Sequence, residues 1–110
     1  MTLALIGAIS AILIFLWIFG ISKSDPYIVK TLDLNGSTER GERIFRLTCV
    51  GCHGISAQGF VGPDLHEVTN RLNDPKIIDQ VVKGLTPPMP SFEIDPQSMS
   101  DILKYMHSLN

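Results

Sequence analysis

The chain has 110 residues, with 9 basic against 11 acidic side chains for a formal net charge of -2, and only two cysteines. A balance this mild excludes the basic footprint of a nucleic-acid-binding domain and any strong electrostatic steering of a partner. Every charged residue lies beyond Ser22, so an uncharged head precedes a polar remainder.

Residues 1–22 carry no charge, and Leu3 to Ile21 is almost wholly apolar. As a helix this run reaches roughly 28 Å at about 1.5 Å per residue, which spans a hydrocarbon core. A cleaved signal peptide expects a basic leader and a shorter apolar stretch; Met1-Thr2 supplies no base, although Gly20-Ile21-Ser22 and Ser22-Lys23-Ser24 are possible cleavage sites. The pattern predicts a single uncleaved transmembrane anchor over 1–22. Ala4, Gly7, Ala8 and Ala11 put small side chains on one side, as many membrane helices do, and Trp17 suits an interfacial belt. Lys23 alone gives the charge rule little direction.

Residues 23–36 read as a linker, with Pro26 and Asn35-Gly36 as turn formers and a partial alternation of Tyr27, Val29, Leu32 and Leu34 between them. This predicts a tether lying on the domain that follows. Residues 37–110 make a domain whose own core is marginal at that size, so a buried prosthetic group would supply missing apolar contents.

Ser37 or Thr38 can cap a helix whose Gly41, Ile44, Phe45, Thr48 and Cys49 share a face. Arg40, Arg43 and Arg46 recur on it with Glu39 and Glu42 interleaved, which reads as a solvated face. That helix runs into Cys49-Val50-Gly51-Cys52-His53. Two thiols three residues apart with a histidine directly behind them suit covalent attachment of one haem c: the thiols add to its two vinyl groups and the imidazole of His53 ligates the iron. A dithiol redox pair would want a strand-turn-helix setting, which the helical flanks lack. Zinc would need a second ligand pair that His66 and His107 do not provide at finger or ribbon spacing. A Cys49–Cys52 disulfide would close too short a loop to restrain the unfolded chain much.

Asp74-Pro75 reads as an N-cap and first-turn proline for a helix carrying Ile77, Ile78, Val81 and Val82 and ending at Gly84, and Asp95-Pro96 repeats the device. Met99, Ile102, Leu103, Tyr105, Met106 and Leu109 then form one broad apolar face. No stretch reads as a strand, and the domain is predicted to be all-α. For the sixth iron ligand the candidates are Met89, Met99, Met106, His66 and His107. Met89 sits among Pro87, Pro88 and Pro90, which bar helix and stiffen the loop that would present its thioether. Met99 and Met106 are spaced as core residues, and His66 and His107 read as surface or packing histidines. Phe45, Val61, Leu65, Leu72, Ile78, Val82, Phe92 and Leu103 are candidates to line the haem.

From about Gly36 to Leu109 the chain resembles the class I mono-haem cytochromes c. The likeness rests on Gly41 and Phe45 before the haem motif, Gly62-Pro63-Asp64-Leu65 after it, Met89-Pro90-Ser91-Phe92, and the terminal-helix aromatic Tyr105. A narrower likeness, to the anchored cyanobacterial cytochrome cM group, is suggested by Phe60-Val61-Gly62-Pro63, Gly84 to Pro90, and Pro96-Gln97-Ser98-Met99. The resemblance implies a small class I fold preceded by one transmembrane helix, with first and last domain helices crossing where the glycine meets the aromatic. It also implies His53 and Met89 as iron ligands and the Pro63 carbonyl as acceptor of the hydrogen bond that orients His53. Haem attachment of this kind takes place on the outer side of energy-transducing membranes, so the domain is expected to face the periplasm or the thylakoid lumen. The function expected is one-electron carriage, non-enzymatic, between transient redox protein partners of a photosynthetic or respiratory chain, with no small-molecule substrate. The alternatives are a haem-bearing subunit of a larger membrane complex, and a ligand sensor or peroxidase.

Overall fold

The computed structural model describes residues 1–21 and 24–110; the Ser22-Lys23 step, with the possible cleavage sites and the lone flanking base, lies outside the described residues. Among these residues the chain forms helices and loops with no β-strand, as the sequence predicts. Helix α1 spans Thr2–Ile21, and its large apolar side chains from Leu3 to Phe19 are exposed. Among the described residues it is the one helix long and apolar enough to cross a membrane.

Residues 25–34 differ from the expected turn-bounded tether. They form helix α2, Pro26–Asp33, because Asp25 Oδ1 accepts the Tyr27 N–H at 2.9 Å and Pro26 occupies the first helical turn, where its missing N–H costs nothing. Pro26 therefore starts a helix and does not make a turn. Tyr27 and Ile28 are half-buried and Thr31 is buried, so one side of α2 is packed.

Helix α3, Thr38–Thr48, takes Ser37 as its cap, the hydroxyl accepting the Arg40 N–H at 3.3 Å. Helix α4, Val50–His53, continues from it through Cys49. Short α5, Val68–Arg71, had no counterpart in the sequence pattern. Helix α6 is Asp74–Lys83, and its cap is Asn73, one residue before the expected Asp74: the Asn73 carboxamide accepts the Lys76 N–H at 3.1 Å, which leaves Asp74 inside the first turn with Pro75. Gly84 ends it at φ +58, and a Cβ there would stand 2.6 Å from Pro90 C and Ser91 N, so the turn brings the next loop close. Helix α7, Pro96–Ser108, is capped by Asp95 as predicted.

The core is the crossing of α3 and α7. Gly41 on α3 lies so close to the Asp101 carbonyl and to Tyr105 Cβ that any Cβ would collide, which lets the backbones meet. One turn on, the Phe45 and Tyr105 rings sit 5.2 Å apart at 48°. Phe45, Ile78, Met99 and Ile102 are fully buried, and burial of side chains this size stabilises by about 1.5–3 kcal/mol each.

The crossing also holds a polar pin that the sequence pattern did not show. Arg40, expected on a solvated face, donates from Nε and Nη2 to both oxygens of Asp101 at 2.9 and 3.0 Å. The buried Asp101 carboxylate accepts the Ser37 N–H and the Gln97 amide as well. Burial raises the Asp101 carboxyl, but these hydrogen bonds and the guanidinium charge outweigh it and hold the group below the usual carboxylate range. Arg46 does stay on the surface, paired with Glu42.

Candidate haem site

Helix α3 ends in its own C-cap, Cys49, which also opens α4, so both thiols are carried on one short stretch fixed at its root by Phe45. Cys49 is half-buried and Cys52 exposed, and neither is in a disulfide. Burial, with a smaller contribution from Cys52, pushes the Cys49 thiol up to about 11, the reverse of the lowered value a redox-active dithiol needs. Among the described residues no three His, Cys, Asp or Glu side chains converge.

His53 is 8% exposed, and its Nδ1 lies 2.9 Å from the Pro63 carbonyl oxygen. A carbonyl only accepts, so Nδ1 carries the proton and Nε2 keeps the free lone pair that a metal takes. The loop supplying Pro63 is folded back onto the motif: Gly59 N–H donates to the His53 carbonyl and Gly62 N–H to the Cys52 carbonyl, both at 2.7 Å. Gly62 was visible in the sequence only as part of a motif. In the structure a Cβ on it would stand 2.6 Å from His53 Cε1 and 2.9 Å from Nδ1, so only glycine lets the loop lie against the ring.

Met89 is half-buried in the loop after α6, with its N–H bonded to the Thr86 carbonyl. Gln80, which the sequence did not single out, ties that loop to α6 by accepting from the Thr86 hydroxyl at 2.9 Å and donating to Met89 Sδ at 3.4 Å. The rival candidates have partners of their own as well. Met99 and Met106 are core residues, exposed His66 contacts Asp64 at 2.7 Å, and His107 contacts Asp74 at 2.9 Å. Among the candidate lining residues Phe45, Leu65, Ile78 and Leu103 are buried and Val82 and Phe92 half-buried, while Val61 and Leu72 lie on the surface at 60% and 37% exposure.

Two thiols one helical turn apart, a histidine of defined tautomer beside them and a second soft donor on a braced loop are a donor set that fits haem c. An all-helical domain around such a motif defines a class I c-type cytochrome. Residues 36–106 match the family described as "Cytochrome C oxidase, cbb3-type, subunit III". A "Cytochrome c-553-like" protein of Synechocystis is 44% identical over 103 residues, which cover 94% of this chain and 98% of that one. "Cytochrome c-551" of Bacillus subtilis is 31% identical over 70 residues, covering 64% of this chain and 62% of the relative. Among solved structures, cytochrome cL of Methylophaga aminisulfidivorans superposes with a TM-score of 0.58 at 25% identity, over 64% of this chain and 51% of that one. Cytochrome cL of Hyphomicrobium denitrificans, at 22% identity and a TM-score of 0.57 over 78% and 52%, shows the shared fold. This chain thus spans about half the length of the solved structures it matches. The chain belongs to the cbb3-type subunit III family of c-type cytochromes, and is a mono-haem c-type cytochrome of electron transfer that binds haem c.

Proposed function

We propose that this cytochrome is a membrane-anchored one-electron carrier and not an enzyme, with haem held covalently by Cys49 and Cys52 and its iron ligated by His53 and Met89. Its domain faces the periplasm or the thylakoid lumen, and it exchanges electrons with transient partners in a photosynthetic or respiratory membrane. The single observation that carries this reading is the 2.9 Å contact from His53 Nδ1 to the Pro63 carbonyl. It fixes the Nδ1–H tautomer, aims Nε2 and strengthens that nitrogen as a ligand. When bound, haem would supply a one-electron couple, and His53 and Met89 would hold its iron with little rearrangement between the two charge states.

The chain's own part is to keep that geometry rigid. The α3–α7 crossing immobilises the root of the motif, Gly62 closes one side of the imidazole, and Gln80 braces the loop bearing Met89. A soft thioether and apolar surroundings favour the reduced state, giving a fairly high potential. The apolar α1 supports anchoring. The full-length likeness to a cyanobacterial cytochrome supports the membrane system.

The test is the visible and near-infrared spectrum of the ferric protein beside Met89→Ala. A sulfur-to-iron charge-transfer band present in the parent and lost in the variant is expected. A parent without the band, or reduced protein that binds carbon monoxide readily, would refute the ligand set and favour a ligand-binding haem. The family description favours a second reading, a haem-bearing subunit of an oxidase-type complex. Comigration with a large complex in mild detergent would favour that reading, and a free pool the carrier.

A further inference from the structure

We propose that the outward side of α2 rests on the lipid headgroup layer, so that the haem domain is held against the bilayer in one orientation and does not swing on a tether. The proposal builds on the reading of α1 as a membrane span.

The inner side of α2 is clamped to the haem domain at several points. Tyr27 Oη donates to the Ile94 carbonyl at 2.7 Å in the loop that follows Met89, and Thr31 is buried. The chain beyond α2 is bound to α7, Ser100 Oγ donating to the Leu34 carbonyl at 3.1 Å and Gln97 Nε2 to the Asn35 carbonyl at 3.0 Å. Lys83 reaches Asp25 at 3.9 Å, at the entry to the helix. Helix α2 is therefore part of the domain.

Its outer side, uncovered by the described residues, carries Pro26, Val29 and Leu32 beside the charged Lys30 and Asp33. Val29 is 52% and Leu32 45% exposed, and with Pro26, Lys30 and Asp33 they line one shallow depression. Helical spacing puts Val29 and Leu32 on the same side, with Asp33 one turn beyond Val29 and Lys30 farther round, both exposed so that their charges can stay in water.

The length of chain between the two helices selects the occupant. Helix α1 ends at Ile21 and α2 begins at Pro26. Even fully extended, those steps reach no more than about 18 Å at roughly 3.6 Å each. The headgroup region extends some 5–8 Å beyond the hydrocarbon on each side, so α2 starts within or just above it. At that distance contact with lipid is intramolecular, at an effective concentration on the order of millimolar, and two apolar side chains suffice where a free helix would need many. The mixed charge around α2 gives no reason for anionic lipid, so neutral phosphatidylcholine is the probe.

The experiment uses the full-length holoprotein in phosphatidylcholine bilayers. Both native thiols are taken up by the haem, so Val29→Cys, Leu13→Cys and Asn70→Cys each offer one thiol for an environment-sensitive fluorophore. Quenching by lipid-borne nitroxides is expected at Leu13 and at Val29, with a blue shift at Val29, and none at exposed Asn70. Quenching at Leu13 without quenching at Val29 overturns the proposal while the span stands, and would point to a protein as the cover of α2. No quenching at Leu13 shows that α1 does not insert, and the anchor reading itself fails. A label-free companion is linear dichroism of the haem band in oriented bilayers. The parent should be dichroic, and Val29→Glu with Leu32→Glu should reduce the signal toward zero; an isotropic parent, or an undiminished signal in the variant, would overturn the proposal.

Discussion

Gly62→Ala places one methyl group against the ring on which the whole site depends. The new Cβ would lie 2.6 Å from His53 Cε1, 2.9 Å from Nδ1 and 3.1 Å from Nε2, all inside ordinary contact distance. The ring is itself buried and the loop is bonded through Gly62 N–H to Cys52 and through Phe60 N–H to the Gly62 carbonyl, so neither side yields freely. Overpacking of this kind costs about 1–3 kcal/mol, and disturbing the Nδ1–H to Pro63 hydrogen bond costs a further ~1 kcal/mol. A total of about 2–4 kcal/mol in a small domain lowers the thermal midpoint by roughly 10–30 °C. The assay is thermal unfolding followed in the haem band, with the reduction potential measured on the same sample. The potential should rise, because a weaker bond at Nδ1 makes the imidazole a poorer donor to ferric iron. Pro63→Ala is the control: the acceptor is a backbone carbonyl, so the bond survives and the potential should move much less. A Gly62→Ala protein with unchanged midpoint and potential would refute the claim that this glycine sets the imidazole.

Asp101→Asn should cost about 2 kcal/mol, because Arg40 and the Ser37 N–H lose a charged acceptor in a buried place. The folded carboxyl lies below its unfolded value, so the unfolded chain takes up the proton first; the stabilisation is complete above about pH 5 and is lost as pH falls below ~4. Denaturant midpoints from pH 7 down to 3 should fall in the parent and show a shallower slope in the variant. Cys49→Ser with Cys52→Ser should yield a chain without covalent haem and largely unfolded by circular dichroism; a stable helical fold would show that the core closes without the group. Residues 47–63 and 84–92 contain no Asp, Glu, Lys or Arg. With these two segments, which bear the haem motif and Met89, taken as the docking face, electron self-exchange between two copies, read by NMR line broadening, should change less than about threefold between low and physiological salt, where a charged face would change it far more.

The haem motif was legible because its chemistry is local: Cys49, Cys52 and His53 lie within one turn, and their spacing alone fits a porphyrin edge and its iron. The apolar first helix, the all-helical class and the caps at Ser37 and Asp95 were legible for the same reason, since composition and the first turn of a helix are decided by near neighbours. Even there the margin was one residue, as Asn73 shows against Asp74. Helix α2 was obscured because Asp25-Pro26 opens a helix so short that its packing against α7, and not its own propensity, maintains it. Only the tertiary structure decided the rest. Arg40 looks like any surface base until α7 brings Asp101 beneath it, 61 positions along the chain. Gln80 is a plain helix residue until the loop returns Met89 to it. The sequence by itself determined which group this chain carries, through bonds that need only adjacent residues; the tertiary fold decided how that group's histidine is held and how the domain is tied to α2, because those contacts join segments that meet only after the chain has closed on itself.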